Sequence, residues 1–219
     1  MSEPTLAGLS SRTAAIMTVF TLAFTAVMAA TYELTHEAIE QSANDEKMKL
    51  ITEVLPPDTY DNPLLDDFAA LGPTRELGLE RGGKIYRARK AGAPSALLVE
   101  ATAPDGYSGN IDLIVAIRAD GDVLGVRVVS HRETPGLGDY IDARKDKNKA
   151  SPWIGQFAGL NPAQLPLDRW KVRKDGGEIS AHTGATISAR AVTNAVARAA
   201  RFVGAHHDRL FAAERGDIL

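Results

Sequence analysis

The chain has 219 residues, 44% apolar and 24% charged, a formal net charge of −3 and a mean hydropathy of −0.14. This is enough for one globular domain with an appendage, and it excludes a disordered or many-spanning chain; the charge balance gives no nucleic-acid signal. With no cysteine, disulfides, thiolate zinc sites and cysteine-ligated iron–sulfur clusters are excluded, so any electron transfer needs an organic cofactor.

The first element in chain order is an uncharged run over 14–32, made apolar by Ile16, Met17, Val19, Phe20, Leu22, Phe24, Val27 and Met28. A membrane-spanning helix needs about 20 such residues, whereas the apolar region of a cleaved signal is about 7–15, so the run reads as a retained anchor over 13–33. Arg12 precedes it and Glu33, Glu37 and Glu40 follow, which favours a cytoplasmic segment 1–12 and a main domain outside the cytoplasm.

From 33 to 67 there are ten acidic residues against Lys47 and Lys49. Helical spacing of Ile39, Met48, Ile51 and Leu55 predicts that the anchor continues as a stalk until Pro56-Pro57 stops it, with irregular chain marked by Pro63, Gly72, Pro73 and Gly78. Residues 34–80 therefore read as an acidic helical stalk and connector. An acidic face of this kind is usually only solvated.

Candidate strands follow at 84–89, 96–101, 111–118 and 123–130, the last two forming a hairpin around Asp120-Gly121-Asp122. Alternation of Ile111, Leu113, Val115 and Ile117, and of Val126 and Val128, predicts a sheet with one face on a core. A final helix is expected from about Ser188, with Val192, Ala195, Val196, Ala199 and Val203 on one face. The fold class is α+β: one membrane helix, then a domain with an antiparallel-rich sheet and flanking helices.

Three strings carry chemistry. Thr183-Gly184-Ala185-Thr186-Ile187-Ser188 runs directly into the last helix, where small residues allow close approach and free amide hydrogens suit a phosphate; alone, however, it is more often a turn with a Ser or Thr cap. Ser130-His131-Arg132-Glu133-Thr134-Pro135-Gly136-Leu137-Gly138 follows a strand and reads either as a functional loop or as a strand-ending turn. His131 and Glu133 also suggest acid–base work or a metal site, but they lack a third ligand or a nucleophile. Asp105-Gly106-Tyr107-Ser108-Gly109 reads as a strand-linking turn whose Tyr107 offers an aromatic face.

Together, in this order and behind one anchor, these strings resemble the G subunit of the Rnf (Rsx) electron transport complex, which shares an FMN-binding domain with the C subunit of the sodium-translocating NADH:quinone reductase. The resemblance is densest over 130–138 and 175–196, and Lys174-Asp175-Gly176-Gly177 favours the Rnf protein. It implies an FMN-binding domain at 81–205, followed by a C-terminal tail at 206–219. It also implies FMN joined covalently to Thr186 by a phosphoester that a flavin transferase makes from FAD. Thr183, Gly184, Ala185 and Ser188 then line the phosphate end, and Glu133, Thr134, Gly136 and Leu137 form the loop against the flavin, with Tyr107 and His131 as neighbours. No catalytic acid–base residue and no metal are implied.

The implied role is that of an electron relay, not an enzyme on its own, in a bacterial inner-membrane complex that links ferredoxin and NAD chemistry to ion translocation. Its partners are the other membrane subunits, and its main domain is periplasmic. The alternatives are a component of the quinone reductase resembling its C subunit, or a non-catalytic flavin-binding or scaffold module. One departure stands out: the family's attachment sequence commonly carries an acid three positions before Thr183, where this chain has Ser180. Asp175 and Glu178 lie near but out of register.

Overall fold

The computed structural model describes residues 6–219, so positions 1–5 of the segment expected on the cytoplasmic side lie outside the described residues. Helix α1 (Leu6–Val54) contains an apolar stretch, Ser10–Ile39, of mean hydropathy 1.9. Its 30 residues rise about 45 Å, more than the roughly 30 Å of a bilayer's hydrocarbon core. By length and composition this stretch suffices to cross a membrane. Threonines within it return their hydroxyl hydrogens to the helix, Thr18 to the Ala14 carbonyl and Thr21 to that of Met17, each at 2.9 Å, Thr31 to that of Val27 at 2.8 Å and Thr35 to that of Thr31 at 2.7 Å. Polar groups satisfied in this way carry a smaller penalty in hydrocarbon. The helix ends before Pro56-Pro57, as the proline rule predicts.

The chain divides into two compact units, Met1–Met48 and Lys49–Leu219. The second holds a five-stranded antiparallel sheet in sequential order: β1 (Phe68–Leu71), β2 (Gly83–Lys90), β3 (Ala93–Gly106), β4 (Gly109–Arg118) and β5 (Val123–Ser130). Strand β1 corrects the expectation of irregular chain between Pro63 and Gly78. It has only 4 residues, too few to show a period, and is fixed by pairing Phe68 with Tyr86 and Leu71 with Gly83. Strand β3 is longer than the 96–101 read from sequence, because the Gly92-Ala93-Pro94 punctuation sits at its very start, where Pro94 pairs beside a register shift between Ala88 and Arg89.

One sheet face carries Leu97, Val99, Leu113, Val115, Ile117 and Val126, all buried in the main core under helix α2 (Thr186–Ala212), which packs chiefly on β3 and β4. The expected helix face, Val192, Ala195, Val196, Ala199 and Val203, is buried there too. The helix begins two residues before Ser188 because Thr186 already has helical geometry. The opposite sheet face is also covered, contrary to the one-sided reading: Leu98, Ile114 and Ala116 are buried, as are Leu50, Ile51, Val54 and Leu55 at the end of α1. A Cβ placed on Gly125 of β5 would come 3.1 Å from Val54, and Arg127 Nε donates to Glu53 at 2.7 Å.

Buried Arg87 fastens the end of α2 to the sheet edge. It pairs with Asp67 at 2.7 Å and donates to the carbonyls of Leu210 and Ala213. Arg89 binds the same carboxylate at 2.9 Å and the Phe211 carbonyl at 3.0 Å. Residues 206–212 belong to α2, and Ile218 bridges in parallel to Ala70.

Candidate functional site: a cleft at the start of the last helix

A cleft of about 280 Å³ lies where three segments meet: the loop after β5, the tip of the β3–β4 hairpin, and the chain entering α2. That is near the lower bound of the roughly 300–1,000 Å³ usual for small-molecule sites. Its lining is Tyr107, Glu133, Thr134, Leu137, Gly138, Gly184, Ala185, Ile187 and Ser188.

Tyr107 and Ser108 form the two-residue tip between paired Gly106 and Gly109. Only glycine fits at 106, where a Cβ would stand 2.3 Å from the Gly109 carbonyl oxygen. The tight turn leaves the Tyr107 ring 67% exposed at the cleft, across from Leu137 and Ile187, which are 57% and 45% exposed. These exposed apolar side chains gathered at one cleft are the kind of patch that marks a binding site. A planar aromatic group suits them.

The polar floor is Glu133, 4% exposed. Its Oε1 accepts the Ser108 main-chain N–H at 3.0 Å and its Oε2 is bonded to the Ser188 hydroxyl, so one carboxylate joins loop, hairpin tip and helix. Ala185 precedes the first residue of α2, and no side chain caps the helix. The first-turn amide hydrogens thus have no side-chain acceptor, and the positive end of the helix dipole favours an anion there. Thr186, the first helical residue, is half-buried, and its hydroxyl makes no hydrogen bond among the described residues.

Of the residues expected at a site, Tyr107, Glu133, Thr134, Leu137, Gly184, Ala185 and Ser188 line the cleft together. Thr186 does not, although both its chain neighbours do, and Thr183 is exposed outside the lining. Gly136 turns the loop, its N–H donating to Asp139 Oδ1 at 2.9 Å. His131 points elsewhere: Nδ1 accepts the Glu133 N–H at 3.1 Å and Nε2 stands 4.0 Å from Asp142. Among the described residues, no group of acidic, His or Cys side chains is arranged to hold a metal.

Sequence reasoning missed Gly138 and Ile187 as lining residues, and it missed the brace behind the 180–185 segment. Tyr140 donates its hydroxyl to the Ala185 carbonyl and accepts the His182 N–H, both at 3.2 Å, while its ring stacks on His182 at 3.9 Å. Burial raises the Tyr140 phenol above its ordinary value and the nearby Asp146 charge adds to this, against the opposing His182 bond, so it remains a donor. Trp153 Nε1 holds the Ser180 carbonyl at 2.6 Å, and Gln156 Oε1 accepts both the Ser180 N–H and hydroxyl, at 2.8 and 2.9 Å. Neither nearby acid replaces one at 180: Asp175 is paired with Arg190, which lowers its pKa, and Glu178 with Arg169.

Comparison with known proteins gives the family. A family model described as an FMN-binding domain matches residues 106–201, spanning the cleft, and one described as the RnfG N-terminal region matches 9–54. The chain is 43% identical over 197 residues to the G subunit of the ion-translocating oxidoreductase complex of Vibrio atlanticus, covering 90% of this chain and 91% of that one. The same-named protein of Pseudomonas aeruginosa is 39% identical, with 93% and 92% covered, and that of Shewanella loihica 39%, with 91% and 92% covered. The motif combination, the anchor-plus-domain architecture and these full-length matches place the chain in the family of G subunits of the ion-translocating oxidoreductase complex.

Proposed function

We propose that this chain relays electrons within a membrane-bound ion-translocating complex through an FMN esterified to Thr186. The observation that carries the reading is the meeting of an aromatic-rimmed cleft with an uncapped helix start whose first residue is a threonine with an unengaged hydroxyl. The groups present suit FMN at both ends. Tyr107, Leu137 and Ile187 suit the ring system, and the first-turn amides of α2 suit the phosphate. FMN supplies the electron-accepting chemistry, while this chain's residues bind, orient and partly exclude water from it.

In maturation by a flavin transferase, the Thr186 hydroxyl oxygen displaces AMP from the FMN-side phosphorus of FAD. One phosphorus–oxygen bond forms, the pyrophosphate bond breaks, and the hydroxyl proton is lost. Thr183 and Gly184 stand at the approach, and the brace of Tyr140, Trp153 and Gln156 keeps the segment in one conformation. An ester tether suits a periplasmic domain on a single inner-membrane anchor, because free flavin there would be diluted away. The neighbouring centres would belong to other subunits of a complex linking ferredoxin and NAD chemistry to ion movement.

The test is intact-protein mass spectrometry and in-gel fluorescence of the membrane-extracted chain coexpressed with the transferase. A flavin adduct that survives denaturation and is lost in Thr186→Ala supports the reading. A colourless wild type, or complex-level electron transfer unchanged in Thr186→Ala, overturns it.

A further inference from the structure

Burying a carboxylate without a cation is costly, so such groups are placed for a reason that packing alone does not supply. Glu133 forms no ion pair among the described residues, and the cleft's other lining side chains are neutral. Its neighbour His131 turns away from the carboxylate: Nδ1 takes the Glu133 main-chain N–H at 3.1 Å and Nε2 faces Asp142 at 4.0 Å. The carboxylate is held by neutral groups, the Ser108 N–H and the Ser188 hydroxyl. It is also walled in: a Cβ on Gly138 would stand 2.6 Å from Ser188 Oγ and 2.8 Å from Glu133 Oε2, so only glycine lets the loop close over the pair.

We propose that Glu133 is a fixed negative charge built into the flavin site, positioned by Ser108, Ser188 and Gly138 to lower the potential of the flavin held there. The proposal rests on the reading of the cleft as the FMN site. A negative charge beside a redox group opposes the addition of electrons, and it does so more strongly in a partly dry cleft than in water. Because Glu133 shares Ser188 with the helix that bears Thr186, its distance from a flavin tethered there is set by the fold and not by a mobile side chain.

Glutamine separates charge from shape. Its amide oxygen accepts the Ser108 N–H, and its amide N–H donates to the Ser188 hydroxyl, which both donates and accepts. Both contacts survive while the charge is lost. The experiment uses the full chain, coexpressed with the transferase and extracted in detergent, with flavin loading read by intact mass and potential by spectroelectrochemical titration. In Glu133→Gln the reduced-to-oxidised flavin ratio at a fixed poise should rise at least tenfold, which is about 30 mV for a two-electron couple.

A loaded Glu133→Gln protein with an unchanged or lower potential overturns the proposal. A wild type carrying no flavin fails at the loading step and overturns the underlying reading of the site as well. Should Glu133→Gln not load, Leu137→Lys and Leu137→Glu place opposite charges on the exposed rim without touching the buried pair. The lysine should raise and the glutamate lower the potential, and equal potentials overturn the proposal.

Discussion

Replacing Gly138 by alanine tests how tightly the cleft is built. The new methyl carbon would stand 2.6 Å from Ser188 Oγ, 2.8 Å from Glu133 Oε2 and 3.2 Å from Glu133 Cβ, where comfortable contacts begin near 3.5 Å. Two of those atoms end short side chains, but neither is free to swing. Ser188 is buried and bonded to Glu133, whose other oxygen is held by Ser108. Relief therefore requires breaking the clasp or moving the loop. Overpacking costs about 1–3 kcal/mol, and loss of a hydrogen bond to a charged group about 1.5–3 kcal/mol. The two overlap, so the expected loss is about 2–4 kcal/mol, or a drop in Tm of roughly 5–15 °C for a unit of this size.

The readout is thermal unfolding of the full chain in detergent followed by tryptophan fluorescence. Both tryptophans, Trp153 and Trp170, are buried in the Lys49–Leu219 unit, so the apolar helix does not contribute. The double variant Gly138→Ala/Ser188→Ala removes the closest clash and should lose less than the sum of the two single changes. A Gly138→Ala protein with the wild-type Tm, or strictly additive losses, would refute the reasoning.

Other consequences are read the same way. Arg87→Met leaves Asp67 short of a partner and frees the carbonyls at the end of α2, so a loss of about 3–5 kcal/mol is expected in denaturant unfolding, with Arg89 retaining part of the Asp67 contact. Trp153→Phe keeps an aromatic ring but drops the bond to the Ser180 carbonyl and leaves part of the buried indole's space unfilled; about 1–3 kcal/mol of stability should go, and flavin loading should slow when followed by intact mass over time. Tyr140 should ionise above the ordinary value of about 10 in an ultraviolet titration, because burial favours its neutral form. Since the folded-state pKa is the higher one, the folded protein binds more protons between the two values. The contribution is complete below about pH 10 and is lost as pH rises through the folded-state value, and Tyr140→Phe should abolish that part of the alkaline instability.

Much of the fold was legible because it rests on local periods. The uncharged run, the proline stop, the alternating strands and the alanine-rich helix face each announce one element, and β2 to β5 and both helices follow. What was not legible depends on distant pairing. β1 exists because β2 offers it an edge, and the second buried face of the sheet depends on where the end of α1 comes to rest. In the site, the loop and the Thr-Gly-Ala-Thr string were visible as motifs, and seven of the residues singled out meet in one cleft. Gly138 stood in the same string, but nothing in the order of residues shows that its missing side chain makes room for Ser188, 50 positions later in the chain.

The brace shows the same limit from the other side, and it changes the meaning of Ser180. Read as a string, Ser180 is only a missing acid. In the fold its N–H and hydroxyl both reach Gln156 and its carbonyl takes the Trp153 indole, so the residue is a fastening point for the segment leading to Thr186. Tyr140 fastens the same segment at His182 and Ala185. Glu133 then fixes Ser188, two residues beyond Thr186, from the opposite side. The helix start is thus pinned on both flanks while Thr186 itself is left without a partner among the described residues. Under the proposed attachment of FMN to Thr186, ordering the segment in advance removes an entropic cost from the transfer step.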